Sequence, residues 1–267
     1  MKNKEGESVF NSFLKWFRKF AVITGDVHHP LSNDYYDLNE HLFAEEYVEI
    51  IGSYNVCCTL FVTGKEILLQ SEFFKKFAFK NNVELGGHTF NAFKHKAFHI
   101  MYYALTGSLY GPLLYQRKDI LRTFRAFERL GIKIISWRTH SLAGDHITYK
   151  LLANYGTKVV SDKRLCVFAP WFEIGNLLHV PITSPSDTII RPNKDNSWWK
   201  EMFFNWLEMQ ISNEMPIVFL LHPKRMKMLD DFKTFERTIQ ILLDNKYKFI
   251  RIMDFIKYVP KAFNLEL

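Results

Sequence analysis

Residues 56–64, VCCTLFVTG, decide the fold. Val56 to Thr63 is an unbroken apolar, β-rich run closed by Gly64. A strand wetted on one face alternates apolar and polar residues, whereas a strand covered on both faces of a parallel sheet reads as continuous. Parallel neighbours need crossover connections, usually helices, and the flanks supply them. Upstream, Leu42 to Ile51 reads as a helix with Phe43, Tyr47, Ile50 and Ile51 on one face and Gly52 placed to stop it; before it, Phe20 to Thr24 is a strand ended by Gly25. Downstream, residues 66–80 read as a helix, and Val83 to His88 (VELGGH) as a strand running into a glycine turn.

The alternation continues to the end of the chain. Helices are expected at Lys118 to Leu130, with Ile120, Leu121, Phe124 and Phe127 on one side, over a segment ending at Leu151 to Tyr155, at Ser197 to Ile211 and at Phe232 to Asp244. Strands are expected at Ile132 to Trp137, Thr157 to Val160, Leu177 to Ile182, Ile217 to Leu221 and Lys248 to Ile252. Lys94 to Gln116 and Ala169 to Leu177 read as insertions or extended loops. Repeated βα units of this kind define the α/β class.

Composition fits one large globular domain: 267 residues, 48% hydrophobic and 24% charged. Three cysteines, Cys57, Cys58 and Cys166, lack the spacing of a disulfide set or a metal knuckle and read as reduced core residues. The opening MKNKEGES is not followed by a signal-peptide pattern, and no apolar run reaches membrane-spanning length, so a cytoplasmic protein is expected. Net charge is +7, from 35 Lys+Arg against 28 Asp+Glu, which favours an anionic partner or substrate. Nucleic acid is a poor fit, because the basic residues are scattered and no base-reading motif is present. Residues 1–19 form a separate extension in which Val9, Phe13, Trp16, Phe17 and Phe20 gather on one side, with Lys15, Arg18 and Lys19 around them. That segment reads either as a helix packed over the floor of the domain or as a peripheral membrane contact through residues 8–20.

Polar residues recur where the strands end. Asp26, His88, Arg138 and His222 each follow a predicted strand. Singly, each has an ordinary explanation as a turn residue, a cap or a satisfied buried imidazole. Together they would converge at the carboxyl rim of a parallel sheet, where such folds hold their chemistry.

The ordered series FAVITGD, VCCTLFVTG, VELGGHT, ISWRTH and IVFLLHP, with LLHVPIT and the closing YKFIRIMDFI, resembles the motifs of the polysaccharide deacetylase family, the NodB homology domain, over roughly residues 20 to 258. The resemblance implies a distorted, incomplete seven-stranded (β/α) barrel across residues 20–260. It implies metal-assisted hydrolysis of an acetamide on an amino sugar such as an N-acetylglucosamine unit, free, nucleotide-linked or lipid-linked. By the same resemblance Asp26 is the general base, His222 the general acid, and Arg138 the cation that holds Asp26 ionised. His88 is a ligand of a divalent metal, zinc in the first place, with cobalt, nickel or manganese as alternatives.

The chain departs from the family pattern at several positions. Val27 stands where a second acid is usual, which leaves His28, or its neighbour His29, to replace it. Ala92 stands where the second histidine of HTFNAF is usual. Asn91, one turn along, is the alternative ligand, and His95 enters only if the segment is a loop. His140 replaces a proline, with its role open between metal ligand, substrate contact and a merely tolerated residue. It is grouped with Lys224 and Arg225 of the PKRMK stretch as a substrate-binding set suited to a phosphorylated or acidic substrate. Asp187 and Asp195 are the two candidates for the carboxylate supporting His222, and Asp162 matches a structural aspartate. Two other readings stay open: a silent barrel that binds carbohydrate or a partner, and a hydrolase of a non-sugar amide or ureide.

Overall fold

The computed structural model describes residues 17–93, 95–173 and 176–258. Residues 1–16, with most of the extension and of the expected membrane-contact segment, lie outside the described residues. Phe17, at its end, is buried against Phe168 and Phe255, with ring centroids 5.6 Å apart in both cases.

Nine strands form one sheet among the described residues: β1 (Phe20–Val27), β2 (Cys58–Val62), β3 (Val83–Gly87), β4 (Ser136–Trp137), β5 (Val159–Val160), β6 (Trp171–Glu173), β7 (Leu177–His179), β8 (Ile217–Val218) and β9 (Lys248–Phe249). Their order is β6-β7-β5-β4-β3-β2-β1-β8, with β9 pairing the lower end of β1 through Phe20↔Lys248 and Ala21↔Phe249. Every pairing is parallel except β6 with β7. The sheet curls into an α/β half-barrel. Its gap is bridged irregularly: Thr183 and Ser184 donate backbone N–H groups to the Val218 carbonyl, and their hydroxyls accept from Val218 and Leu220.

β1 and β2 are buried at every position, as the apolar run in VCCTLFVTG requires. Their register sets Asp26 beside Phe61 and carries β1 three residues past the expected end at Thr24. The two glycines of VELGGH are there for packing: a Cβ on Gly86 would stand 2.6 Å from Ser136 Oγ, and one on Gly87 2.3 Å from Trp137 Cε3. Adjacent strands therefore bring Trp137 flat against the β3 backbone, and Arg138 follows directly.

Several expectations are corrected. The segment 66–80 is two helices, Gly64–Leu69 and Ser71–Ala78, interrupted at Gln70, whose backbone leaves the helical region. The supposed loop Lys94 to Gln116 contains the helix Lys96–Thr106, which ends on left-handed Gly107, and the start of the helix Leu113–Glu128. The supposed loop Ala169 to Leu177 carries β6, an antiparallel edge strand. Cys58 is buried, but Cys166 is exposed, not a core residue. No helix among the described residues is long and apolar enough to cross a membrane.

Candidate active site

The loops after β1, β3, β4 and β8 open into a cavity of about 460 Å³ lined by Asp26, His28, His88, His140, Arg164 and His222, with Ser141, Leu142, Ser186, Thr188 and Leu220 completing its wall. Backbone bonding brings the first and last of those strands together: Asp26 N donates to Leu221 O at 3.0 Å, so the residue after Leu221 faces the same space as Asp26.

Asp26 is buried and accepts from Arg138 Nη1 at 2.8 Å. Burial raises its carboxyl, but Arg138, His88 and His222 together hold it below the usual carboxylate value. Arg138 is completely buried and fully engaged, donating to Thr24 Oγ1 at 2.6 Å, to Ser161 O at 2.9 Å and to Ser161 Oγ at 2.9 Å, with its guanidinium over the Phe61 ring. A buried cation held by four hydrogen bonds is oriented rather than mobile.

His222 opens the helix Pro223–Asp230, and both of its amide-side contacts run to Asp187. Its backbone N–H donates to Oδ2 at 2.6 Å, and its Nδ1 stands 2.8 Å from Oδ1. Burial lowers this imidazole, yet Asp187, with Asp26 and Glu40, outweighs it and the net shift is upward. Asp187 is thus the carboxylate behind His222. Asp195 is fully exposed and accepts from Ser197 N at the start of the helix Ser197–Ser212.

Three imidazoles converge opposite this pair. His28 Nε2 lies 3.1 Å from His88 Nε2 and 3.2 Å from His140 Nδ1, and His140 Nδ1 lies 3.3 Å from His88 Nε2. The outer nitrogens reveal the tautomers. His88 Nδ1 stands 2.7 Å from the Arg138 carbonyl, which can only accept, and His28 Nδ1 stands 3.0 Å from Glu40 Oε1. The inward Nε2 atoms of both rings are therefore lone pairs. Burial drives all three rings toward the neutral form, His88 down to about 4 and the other two well below the ordinary imidazole value. With these tautomers the Nε2 lone pairs of His28 and His88 meet at 3.1 Å, a contact that a cation between them would relieve. Three nitrogens each about 2.0–2.1 Å from a tetrahedral zinc would stand roughly 3.3–3.4 Å apart, so the donor set fits a divalent metal with one position open to the cavity. The carbonyl and carboxylate behind His88 and His28 are the outer partners that such ligands require.

The loops after β3 and β4 set this geometry. HTFNAF is not a helix: Thr89, Ala92 and Phe93 have positive φ, and Asp119 pins the turn by accepting from Phe90 N at 2.8 Å. The helical spacing expected for Asn91 is therefore lost, and neither Asn91 nor exposed His95 lines the cavity. Phe93 packs edge-on against His140 at 5.3 Å. From the other side, Asp162 accepts from Thr139 N at 2.5 Å and Thr139 Oγ1 at 2.6 Å, fixing the residue before His140. Ser141 and Leu142 follow in the left-handed region, with φ of 56° and 53°, a conformation that persists only where its surroundings demand it. His140, grouped with the substrate contacts, is in fact the third member of the imidazole group. His29 turns away, with its backbone N–H on Thr63 Oγ1.

The basic stretch after His222 differs from expectation too. Lys224 is buried between Asp37 at 2.6 Å and Glu40 at 2.9 Å, and Arg225 donates to Ile190 O at 2.6 Å. Neither lines the cavity. Arg164 does, and no carboxylate pairs with it among the described residues; its guanidinium donates to the Ser184 carbonyl. Glu40, which holds His28 and is itself held by Lys224, carries no motif signal; the helix expected from Leu42 begins at Glu40.

No family model matches this chain, and no curated protein does. Solved structures do match. A protein assigned as a polysaccharide deacetylase from Mycobacterium smegmatis superposes with a TM-score of 0.71 at 16% identity, covering 94% of this chain and 93% of that one. The Puue allantoinase superposes with a TM-score of 0.67 at 12% identity, covering 91% of each chain. A CE4 family pseudoenzyme from Bacillus anthracis superposes with a TM-score of 0.56 at 16% identity, covering 89% of this chain and 65% of that one. The architecture is the one these proteins share.

Proposed function

We propose that this chain, which has the polysaccharide deacetylase fold, is a metal-assisted hydrolase that removes an acyl group from nitrogen, with an N-acetylated amino sugar as its substrate. The observation that carries the reading is the convergence, in one cavity, of the Arg138-paired carboxylate of Asp26, the Asp187-paired imidazole of His222 and three imidazoles whose inward nitrogens meet.

Each residue has a task that follows from its surroundings. Asp26, held ionised and oriented by Arg138, accepts the proton of the water that attacks the carbonyl carbon. His222, kept protonated by Asp187, gives its proton to the nitrogen that leaves, without which an amine anion would have to depart. His28, His88 and His140 would hold the divalent cation, zinc by donor type. When bound, the cation polarises the substrate oxygen and makes water easier to deprotonate. Glu40 and the Arg138 carbonyl keep the inward nitrogens bare. Arg164 is the cation available to an acidic group on the substrate.

Similarity to an allantoinase favours testing ureides beside acetamides, and similarity to a pseudoenzyme makes a silent barrel the reading to beat. The test is acetate release from N-acetylglucosamine oligomers, together with metal content by mass spectrometry. The protein should hold about one zinc per chain, and His140→Ala should lose it. Asp26→Asn and His222→Ala should each lower turnover by about 10²–10⁴ while the melting temperature and metal content hold. Zinc retained by His140→Ala would remove that residue from the ligand set; wild-type turnover in Asp26→Asn would end the hydrolytic assignment.

A further inference from the structure

The helix Lys96–Thr106, KAFHIMYYALT, buries only His99. Ile100, Met101, Tyr103 and Leu105 stand exposed on it, joined by Leu113 and Leu114 at the start of the helix Leu113–Glu128. These six large apolar side chains are each between 50% and 77% exposed. The two elements are contiguous, since Tyr115 packs on both Phe98 and His99. A concentration of exposed apolar side chains of this kind marks a surface that meets something.

Charge identifies the partner. Residues 94–118 carry Lys94, Lys96, Arg117 and Lys118 and no Asp or Glu. The carboxylates that touch the segment face inward, Asp119 on Phe90 N and Tyr110, Asp145 on Ser108, Gln116 and Thr148 N. Arg117 and Lys150 line the groove beside Leu113 and Leu114. A second copy docked about a two-fold axis would set this basic apolar face against itself. An anionic bilayer surface offers the opposite charge at the headgroups and a hydrocarbon boundary for the apolar side chains, with tyrosine suited to the junction.

We propose that the face formed by the helix Lys96–Thr106 and the first turn of the helix Leu113–Glu128 docks this protein on an anionic lipid surface. The contact sets the cavity beside the bilayer: Phe93 stacks on His99 of the docking helix at 4.5 Å and packs on His140 of the cavity at 5.3 Å. The inference stands apart from the hydrolase reading, because it uses none of the residues given chemical roles.

The test is co-sedimentation of the full chain with phosphatidylcholine vesicles, with and without about one third phosphatidylglycerol. Binding is expected to the anionic vesicles and to weaken as salt rises from about 0.05 to 0.5 M. The combined variant Ile100→Ser, Leu105→Ser, Leu114→Ser should bind at least about tenfold more weakly, with an unchanged melting curve and unchanged turnover of a small soluble acetamide. The proposal fails if the parent protein ignores anionic vesicles. It fails also if parent and variant bind alike, which would move the contact to another segment such as residues 8–20. A concentration-dependent dimer abolished by the same substitutions would give the face to a second copy instead.

Discussion

Asp26 and His222 have opposed proton affinities although they face one cavity, because Arg138 stands against the one and Asp187 against the other. The proposed hydrolysis requires Asp26 ionised and His222 protonated, so the rate should hold between an acid limb below the ordinary carboxylate range and an alkaline limb above the ordinary imidazole value of about 6.5. Asp187 is what moves His222 upward; Asp187→Asn removes that stabilisation of the imidazolium, and the alkaline limb should shift to lower pH. A kcat/KM profile of the variant, with an unmoved acid limb, is the check. Asp26, His88, Arg138 and His222 were legible as strand-end polar residues in the right order, and the structure brings Asp26, His88 and His222 to one cavity with Arg138 buried behind Asp26. His140 as part of the imidazole group and Glu40 behind His28 were not, because each meets His28 across more than a hundred or a dozen residues of chain with no spacing rule linking them.

At the scale of elements, the glycine pair in β3 is a packing requirement. Gly87→Ala would drive a methyl group into Trp137 and, at 3.2 Å, toward Ile134 Cδ1. Overpacking of this kind costs about 1–3 kcal/mol, and the melting temperature should fall by roughly 2–4 °C for each of those. Because Trp137 precedes Arg138, the same variant should lower turnover more than its stability loss accounts for; unaltered melting would refute the packing argument. The β-rich runs were readable because burial on both faces leaves no polar alternation. Their lengths were less so. β4, β5, β8 and β9 are two residues each, since a curling sheet keeps only short stretches in ladder register and satisfies the rest through side chains such as Thr183 and Ser184.

The molecule as a whole stores carboxyl groups away from water. Glu66 is 1% exposed, lacks a partner for Oε2, and is raised to about 8, first by burial and then by Glu40. An unfolded glutamate titrates near 4.3, so the folded state binds the proton more tightly. The stability this provides is complete below that value and is lost as pH rises through about 8. Glu66→Gln should therefore melt like the parent near pH 5 and higher than the parent near pH 9; equal melting temperatures at both would refute it. The sequence by itself determined the α/β class and the order of the strands' polar ends, because periodicity and strand-end chemistry are local. Only the tertiary structure decided which nitrogens meet, that Lys224 is a buried structural cation while Arg164 faces the cavity, and that the supposed loop after β3 is an apolar helix left uncovered. Those outcomes depend on distances between segments remote in the chain, which no local pattern encodes.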